Sequence, residues 1–518
     1  MVIDVSSYLF KHSFSQSLKP SFKQCLKQSL KQSLKHGVKS SLLAFSLLVL
    51  FQSPAAMSAD NASNNLPSLG DYTSGIISLE QEYDLGQSFL RALRNGAPLL
   101  SDPIMQDYLE HLIYRLASFS NLEDRRLTLA IIKDESINAF AVPGGIIGIN
   151  LGLFLHGETE SETSAILAHE IAHVSQRHFA RRSEASRKAS VASTAGMLAG
   201  IILLATTGAD AGIAAISASQ GIAQSELLRY SRSREKEADL IGIDTLAAAG
   251  LDPDAMAYMF ERLSRSQRFS GRNIPEFLLT HPVTKDRIAD SISKSSTMPA
   301  IEVPESLDYQ LMRARAQVIV SENPSVAVAQ MKARLNDPDP IKQTAAAYGL
   351  ALAQMQAGNL DDSMQSILGL RFSHPRKLAF VLAEAELHLT ALRFEDARDV
   401  LAEALKVTPR NFPLTMAYAD ALMKSGNPEL AAEKLTLLSL ERPNDHFVWY
   451  TLAEAQGLSN NIVGVHEARA EYFVRVGNFD QAIKQLGFAT PMVQNNFQQS
   501  AKIKQRIEQI FALKAKHG

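Results

Sequence analysis

Apolar residues that return every three to four positions predict helices over 78–95 and 102–118. The apolar run 127–132 reads instead as a short strand. The stretch Asn138-Ala-Phe-Ala-Val-Pro-Gly-Gly-Ile-Ile-Gly-Ile149 reads as two extended pieces joined by a Pro-Gly-Gly turn. Another helix is expected to follow Thr159, with Glu162 completing a candidate capping box and Leu167, Ile171 and Val174 forming an apolar stripe.

Beyond about residue 305 the pattern becomes almost wholly helical and repetitive. Pro375, Pro409 and Pro443 recur every 34 residues, and the segments 357–359, 392–394 and 426–428 recur at that period to within one residue. A 34-residue repeat of Ala-rich helix pairs is the tetratricopeptide signature. Within 378–409, Ala383, Phe394, Ala397, Leu401 and Pro409 occupy the positions expected where paired helices stack on their neighbours.

At the other end of the chain, charge changes the picture. Residues 1–40 hold seven lysines against the single Asp4, while the 518 residues together carry a net charge of -2. The body is therefore mildly acidic, which gives no reason to expect nucleic acid as a partner. An uncharged apolar run at 41–51 follows the lysines and precedes the small residues Ser53-Pro-Ala-Ala-Met-Ser-Ala59. This is the layout of a secretory signal peptide, too short to span a bilayer and expected to be cleaved near 53–59. The lone Cys25 lies inside it, so the mature chain would have neither disulfides nor thiolate metal sites. Residues 60–77 read as a flexible, polar N-terminus. A second run, 189–225, contains one charge, Asp210. Its Ser, Thr and Gly favour small-residue helices packed inside the protein or making peripheral membrane contact over an inserted hairpin.

The candidate chemistry centres on His169-Glu-Ile-Ala-His173. Helical spacing puts the two imidazoles on one face, able to share a metal, and Glu170 beside them can take a proton from water. A catalytic zinc needs a third protein ligand. One metalloprotease pattern would place Gly and His where Gln176 and Phe179 stand, so that class is disfavoured; His178 has the wrong phase and reads as structural. In Ser231-Arg-Ser-Arg-Glu-Lys-Glu-Ala-Asp239, Glu235 and Asp239 share a helix face. One carboxylate could bind the metal while the other orients a ligand histidine, or both could belong to a solvated charged face.

Together, His-Glu-x-x-His and Ser-Arg-x-x-Glu-x-x-Ala-Asp, preceded by Asn138-Ala-Phe-Ala-x-Pro-Gly-Gly145 and followed by Thr280-His281-Pro282, resemble the Ste-type and HtpX-like family of zinc metallopeptidases. The leader and repeats narrow the likeness to its BepA-type subgroup. The resemblance implies an α+β, mostly α protein, with a gluzincin-like zinc metallopeptidase domain over 78–304 and an α-solenoid of tetratricopeptide repeats over 305–518. It implies one Zn2+ per subunit held by His169, His173 and Glu235, Glu170 as the catalytic carboxylate, and Asp239 behind a ligand. The strand after Pro143, with Gly144, Gly145 and Ile146, would pair with an extended substrate. The implied setting is the periplasm, acting on misfolded or stalled proteins and assisting outer-membrane protein assembly, with assembly machinery met through the repeats. A different class of function, a chaperone or scaffold with a latent protease, is equally consistent with a concave repeat surface. His281, beside Pro282, is a further candidate: a fourth ligand that blocks the metal, an oxyanion-binding group, or an ordinary loop histidine.

Overall fold

The computed structural model describes residues 77–185, 224–269 and 276–517. The leader, residues 60–76 and nearly all of the small-residue run 189–225 lie outside the described residues. Among the described residues no helix is long and apolar enough to cross a membrane.

Two helices enter first. α1 (Leu79–Gly96) starts at a reciprocal capping box between Ser78 and Gln81, and α2 (Pro103–Ser118) starts at the N-cap Asp102 with proline in its first turn. The strands β1 (Thr128–Ile132), β2 (Ala139–Val142) and β3 (Ile146–Asn150) form one sheet in the order β1-β3-β2. The β2–β3 turn needs left-handed backbone at Gly144 and Gly145, with φ of 77° and 75°. A Cβ at Gly144 would also lie 2.7 Å from Glu82 O and Tyr83 Cα, and one at Gly145 2.7 Å from Arg126 O, so Gly144 seats the turn on α1 and Gly145 on the segment before β1.

This topology corrects the expectation for the strand after Pro143. β3 is central, parallel to β1 on one side and antiparallel to β2 on the other, with Ile146 registered opposite both Thr128 and Val142. Both its edges are taken, so Ile146 cannot add a substrate strand, and Gly144 and Gly145 belong to the turn before it. The edge beside the candidate chemistry, which has no strand partner among the described residues, belongs to β2.

After the short α3 (Gly152–His156) comes α4 (Glu160–Ser175), which carries the histidine pair. Thr159 caps it by accepting from Glu162 N, but the Glu162 carboxylate reaches Glu158 N rather than closing the box on the N-cap. Nor is the helix one-sided: every residue from Ser161 to Ala172 is buried, so the apolar stripe is one part of a helix enclosed on all sides over that stretch. α5 (His178–Ala185) follows, and α6 (Gln224–Ala248) packs along α4. The approach is close: a Cβ on Gly242 would stand 3.3 Å from His169 N and 3.0 Å from Met256 Cε. α7 (Ala255–Phe269), α8 (Glu276–Thr280) and α9 (Lys285–Ser295) complete this half.

α10 (Leu307–Val320) is bonded into the first half: the Tyr309 hydroxyl meets Thr163 and Gly157 O, and Arg313 donates to Phe154 O. After α11 (Pro324–Arg334) and the pair α12 (Pro340–Gln356) and α13 (Leu360–Ser373), the pairs become regular. They are α14 (Leu378–Thr390) with α15 (Phe394–Val407), α16 (Phe412–Lys424) with α17 (Pro428–Glu441), and α18 (His446–Leu458) with α19 (Ile462–Arg475). Then α20 (Phe479–Ala489) and α21 (Phe497–His517) end the described chain. The left-handed residue between paired helices repeats with the predicted period at Gly358, Leu392, Gly426 and Asn460.

Candidate metal centre

α4 presents His169 and His173 one turn apart, with their Nε2 atoms 3.0 Å from each other. From α6, Glu235 reaches across, its Oε2 3.5 Å from His169 Nε2 and its Oε1 3.5 Å from His173 Nε2. A tetrahedral zinc with bonds of about 2.0–2.1 Å holds its ligand atoms about 3.3 Å apart, so these spacings fit one small cation. The donors, two imidazoles and a carboxylate, suit zinc chemically. Beside them, Glu170 Oε1 is buried and has no hydrogen-bond partner among the described residues, an orphan that a water or substrate in the cleft would satisfy.

His281 joins the group from the end of α8, where its N–H donates to Phe277 O. His281 is thus a loop residue, as expected, in the bend between α8 and α9. Its Nδ1 lies 2.9 Å from Glu235 Oε2 and 3.4 Å from His169 Nε2, and its Nε2 3.6 Å from Glu170 Oε1. One ligand atom from each of His169, His173, Glu235 and His281 can be chosen so that all four lie within 4.8 Å of one another. Phe277 stacks on the His281 ring at 4.9 Å, giving the imidazole a fixed wall.

The surrounding groups hold these side chains in place. Asp239 Oδ1 stands 2.9 Å from His169 Nδ1, short enough for an ion pair although out of line with the ring N–H. Arg287 grips Asp239 with two bonds of 2.7 Å, and also lies 3.2 Å from Glu235 Oε2. His178, read as structural, contacts His173 Nδ1 at 2.8 Å and Glu237 at 3.1 Å. Sequence reasoning missed Arg287 and Phe277. Their only signal is proximity to His281, since neither residue type advertises a role in metal binding.

Electrostatics follow from burial and these contacts. Burial alone would lower His169, but the Asp239 and Glu235 carboxylates raise it to about 9. Burial pushes His173 well below its ordinary value. Glu235 would rise with burial, yet His281 and His169 hold it well below the carboxylate range. Glu170 is raised by burial against the pull of His281 and His169.

The β2 edge faces this cleft. Asn150 N donates to Asn138 O, so the ladder's alternation turns the peptide groups of Ala139 and Ala141 away from β3. The Ala141 backbone faces Glu170 and favours its charged form. The structure therefore brings together His169, Glu170, His173, Glu235, Asp239 and His281, and leaves Gly144, Gly145 and Ile146 on the α1 side of the sheet.

A helix-borne His-Glu-x-x-His joined by an acidic residue from a later helix defines a metallopeptidase. The family model for Peptidase family M48 matches residues 103–293, and one for the tetratricopeptide repeat matches 388–455. A putative beta-barrel assembly-enhancing protease of Vibrio cholerae is 34% identical over 453 residues, 87% of this chain and 93% of that one. The beta-barrel assembly-enhancing protease of Escherichia coli K12 is 30% identical over 91% of this chain and 96% of its own. The mitochondrial metalloendopeptidase OMA1 of Schizosaccharomyces pombe is 31% identical over 35% of this chain and 50% of its own, within the reach of a peptidase domain alone. The chain belongs to peptidase family M48, in the group of the beta-barrel assembly-enhancing proteases. It is a metalloendopeptidase, with a peptidase domain followed by tetratricopeptide repeats.

Proposed function

We propose that this chain is a zinc endopeptidase of the bacterial periplasm that degrades misfolded or stalled proteins and assists outer-membrane protein assembly. The observation that carries the reading is the convergence of His169, His173 and Glu235 on one point, with Glu170 beside it. The leader and the names of the full-length relatives supply the setting. The peptidase domain runs over 78–304 and the repeats over 305–518, and the repeats meet the assembly machinery.

His169, His173 and Glu235 hold the zinc. When bound it supplies Lewis acidity toward the scissile carbonyl and toward water. Glu170 takes a proton from the attacking water and passes it to the leaving amine, a task suited to a carboxylate whose affinity for protons is raised by burial. The outer edge of β2 pairs with the extended substrate through Ala139 and Ala141, recognising backbone before side chain. Asp239 orients His169. Purified protein should carry about one zinc per chain, and His169→Ala should carry almost none. An equal zinc content in the two would overturn the assignment. Glu170→Gln should keep the zinc and lose proteolysis.

A second reading keeps the protease latent while the repeats act as a chaperone, and the position of His281 favours it. Its imidazole stands where it can serve as a fourth ligand and exclude water from the cleft. His281→Ala should then raise proteolysis, whereas a loss would assign it to oxyanion binding. Full rescue of a deletion strain by the Glu170→Gln chain would establish the chaperone role as sufficient.

A further inference from the structure

The sheet has a second edge, on the side away from the metal. Thr128 N donates to Gly145 O and Leu151 N to Ile132 O, so Thr128, Ala130 and Ile132 direct their peptide groups at β3. By alternation Leu127, Leu129 and Ile131 direct theirs outward. The segment before α2 covers only the far end of this edge: Leu99 bridges Ile132, Leu100 N donates to Ile131 O at 2.8 Å, and Lys133 N donates to Pro98 O at 2.9 Å. At Asp102 the chain turns into α2 and leaves. At the near end Leu127 O accepts from the Tyr114 hydroxyl at 3.3 Å. Between these, the N–H and C=O of Leu129 and the N–H of Ile131 have no partner among the described residues, although both residues are buried, at 8% and 2% exposure. Each residue is buried as a whole while its outward peptide groups face a cavity, where unpaired donors and acceptors mark a place for a ligand or ordered water.

They open into a cavity of about 310 Å³ between the sheet and the repeats, walled by Tyr114 on one side and Phe412 and Phe447 on the other. Its charged lining is already paired. Arg442 holds Glu110 at 2.7 and 2.9 Å, Asp102 takes Arg315, and Arg94 donates to the carbonyls of Asn444 and Arg475. Glu441 is matched by Arg410, and the two cations Arg442 and Arg94 together balance Glu110 and Asp445. An ionic ligand would find no free counter-charge here among the described residues, while a neutral one able to complete the strand edge would find both a donor and an acceptor.

We propose that this cavity is a second peptide-binding site, separate from the cleavage site, that takes an extended, uncharged, strand-forming segment of a client protein by backbone pairing to the outer edge of β1. The open groups run from Leu129 to Ile131, roughly 7 Å at the rise of a strand, and offer up to three ladder bonds. A segment held there lies on the opposite side of the sheet from Glu170 and is retained without being cut. The proposal stands on the sheet edge and the cavity and is independent of the metal assignment.

The test uses the full chain with Glu170→Gln, so that cleavage does not consume the probe. The probe is a fluorescent ten-residue peptide of alternating Thr and Val, compared with the same peptide N-methylated at adjacent central residues, which lack donors on both edges. The parent peptide should bind and slow amide hydrogen exchange at Leu129 and Ile131, and the methylated one should bind at least about tenfold more weakly. Leu129→Pro removes the outward N–H without touching the β3 ladder, and Gln106→Trp fills the cavity from α2. Each should weaken binding by a similar factor, and the second serves if the first fails to fold. No binding, binding that leaves exchange at Leu129 and Ile131 unchanged, or parent affinity in a folded variant would overturn the proposal.

Discussion

Arg287 joins three parts of the centre with one guanidinium. It forks onto both Asp239 oxygens, touches Glu235, and donates to Pro282 O, the carbonyl just after His281, while lying over the Phe260 ring at 4.7 Å. Burial would lower its proton affinity, but Asp239 overrides this, so the charge persists inside the protein. A lysine keeps the charge and loses the fork, leaving part of Asp239 unbonded in a buried site. Groups that orient metal ligands typically contribute about 10–100-fold to metal affinity, so Arg287→Lys should weaken zinc binding within that range. Competition with a chelating dye measures it. Unchanged affinity would mean that Asp239 holds His169 unaided.

At this scale the sequence was legible where the residue types are rare and the spacing strict. His169, Glu170 and His173 stand out by residue type and helical phase, a five-residue pattern that gains its weight from the surrounding motifs. Glu235 and Asp239 needed the accompanying motif, because acidic pairs on helices are common on solvated faces. Arg287 and Phe277 were not legible: they act by packing across helices, and nothing in local periodicity encodes which distant side chain a guanidinium will meet. The β2 edge was hidden for a similar reason, since strand order is set by long-range pairing and the two apolar strands look alike in sequence.

Among the elements, the repeat turns carry a measurable strain. The left-handed position holds glycine at 358 and 426 and asparagine at 460, all tolerant of that backbone, but leucine at 392 with φ of 59°. The Leu392 side chain is 74% exposed, so it recovers little by packing. For a residue with a Cβ the left-handed conformation costs about 1–2 kcal/mol, partly offset by the greater freedom glycine loses on folding. Leu392→Gly should therefore stabilise the chain by about 0.5–1 kcal/mol, read as a higher denaturant midpoint with an unchanged slope. A lower midpoint would show that the leucine makes a stabilising contact in the turn. The 34-residue period itself was visible because each repeat reuses one solution to the helix-turn-helix problem, whereas the close packing of α6 on α4 at Gly242 depends on two segments far apart in the chain.

For the whole molecule, the repeats do not simply extend from the peptidase domain; they return to it. Arg442, just after α17, binds Glu110 of α2, and Arg94 of α1 donates to carbonyls at Asn444 and Arg475. Arg442 is also stacked over Phe412 at 3.9 Å, which fixes the guanidinium before it meets the carboxylate. An ion pair in which one guanidinium nitrogen meets both carboxylate oxygens in a largely buried setting contributes more than a typical surface pair, so a coupling of about 1 kcal/mol is expected between these two side chains. Arg442→Glu alone sets two carboxylates against each other at this junction and should speed amide exchange and limited proteolysis around 442–447. Glu110→Arg alone sets two guanidiniums together and should do the same. The double exchange restores opposite charges and should recover most of the protection, although the glutamate now at 442 cannot stack on Phe412 as arginine does. If the double variant is as labile as the singles, the aromatic stack rather than the ion pair docks the repeats. Proteolytic activity on a short unstructured peptide should be nearly unchanged in all three variants, because the residues around Glu170 are not shared with this junction; activity that falls with docking would show that the repeats help shape the cleft.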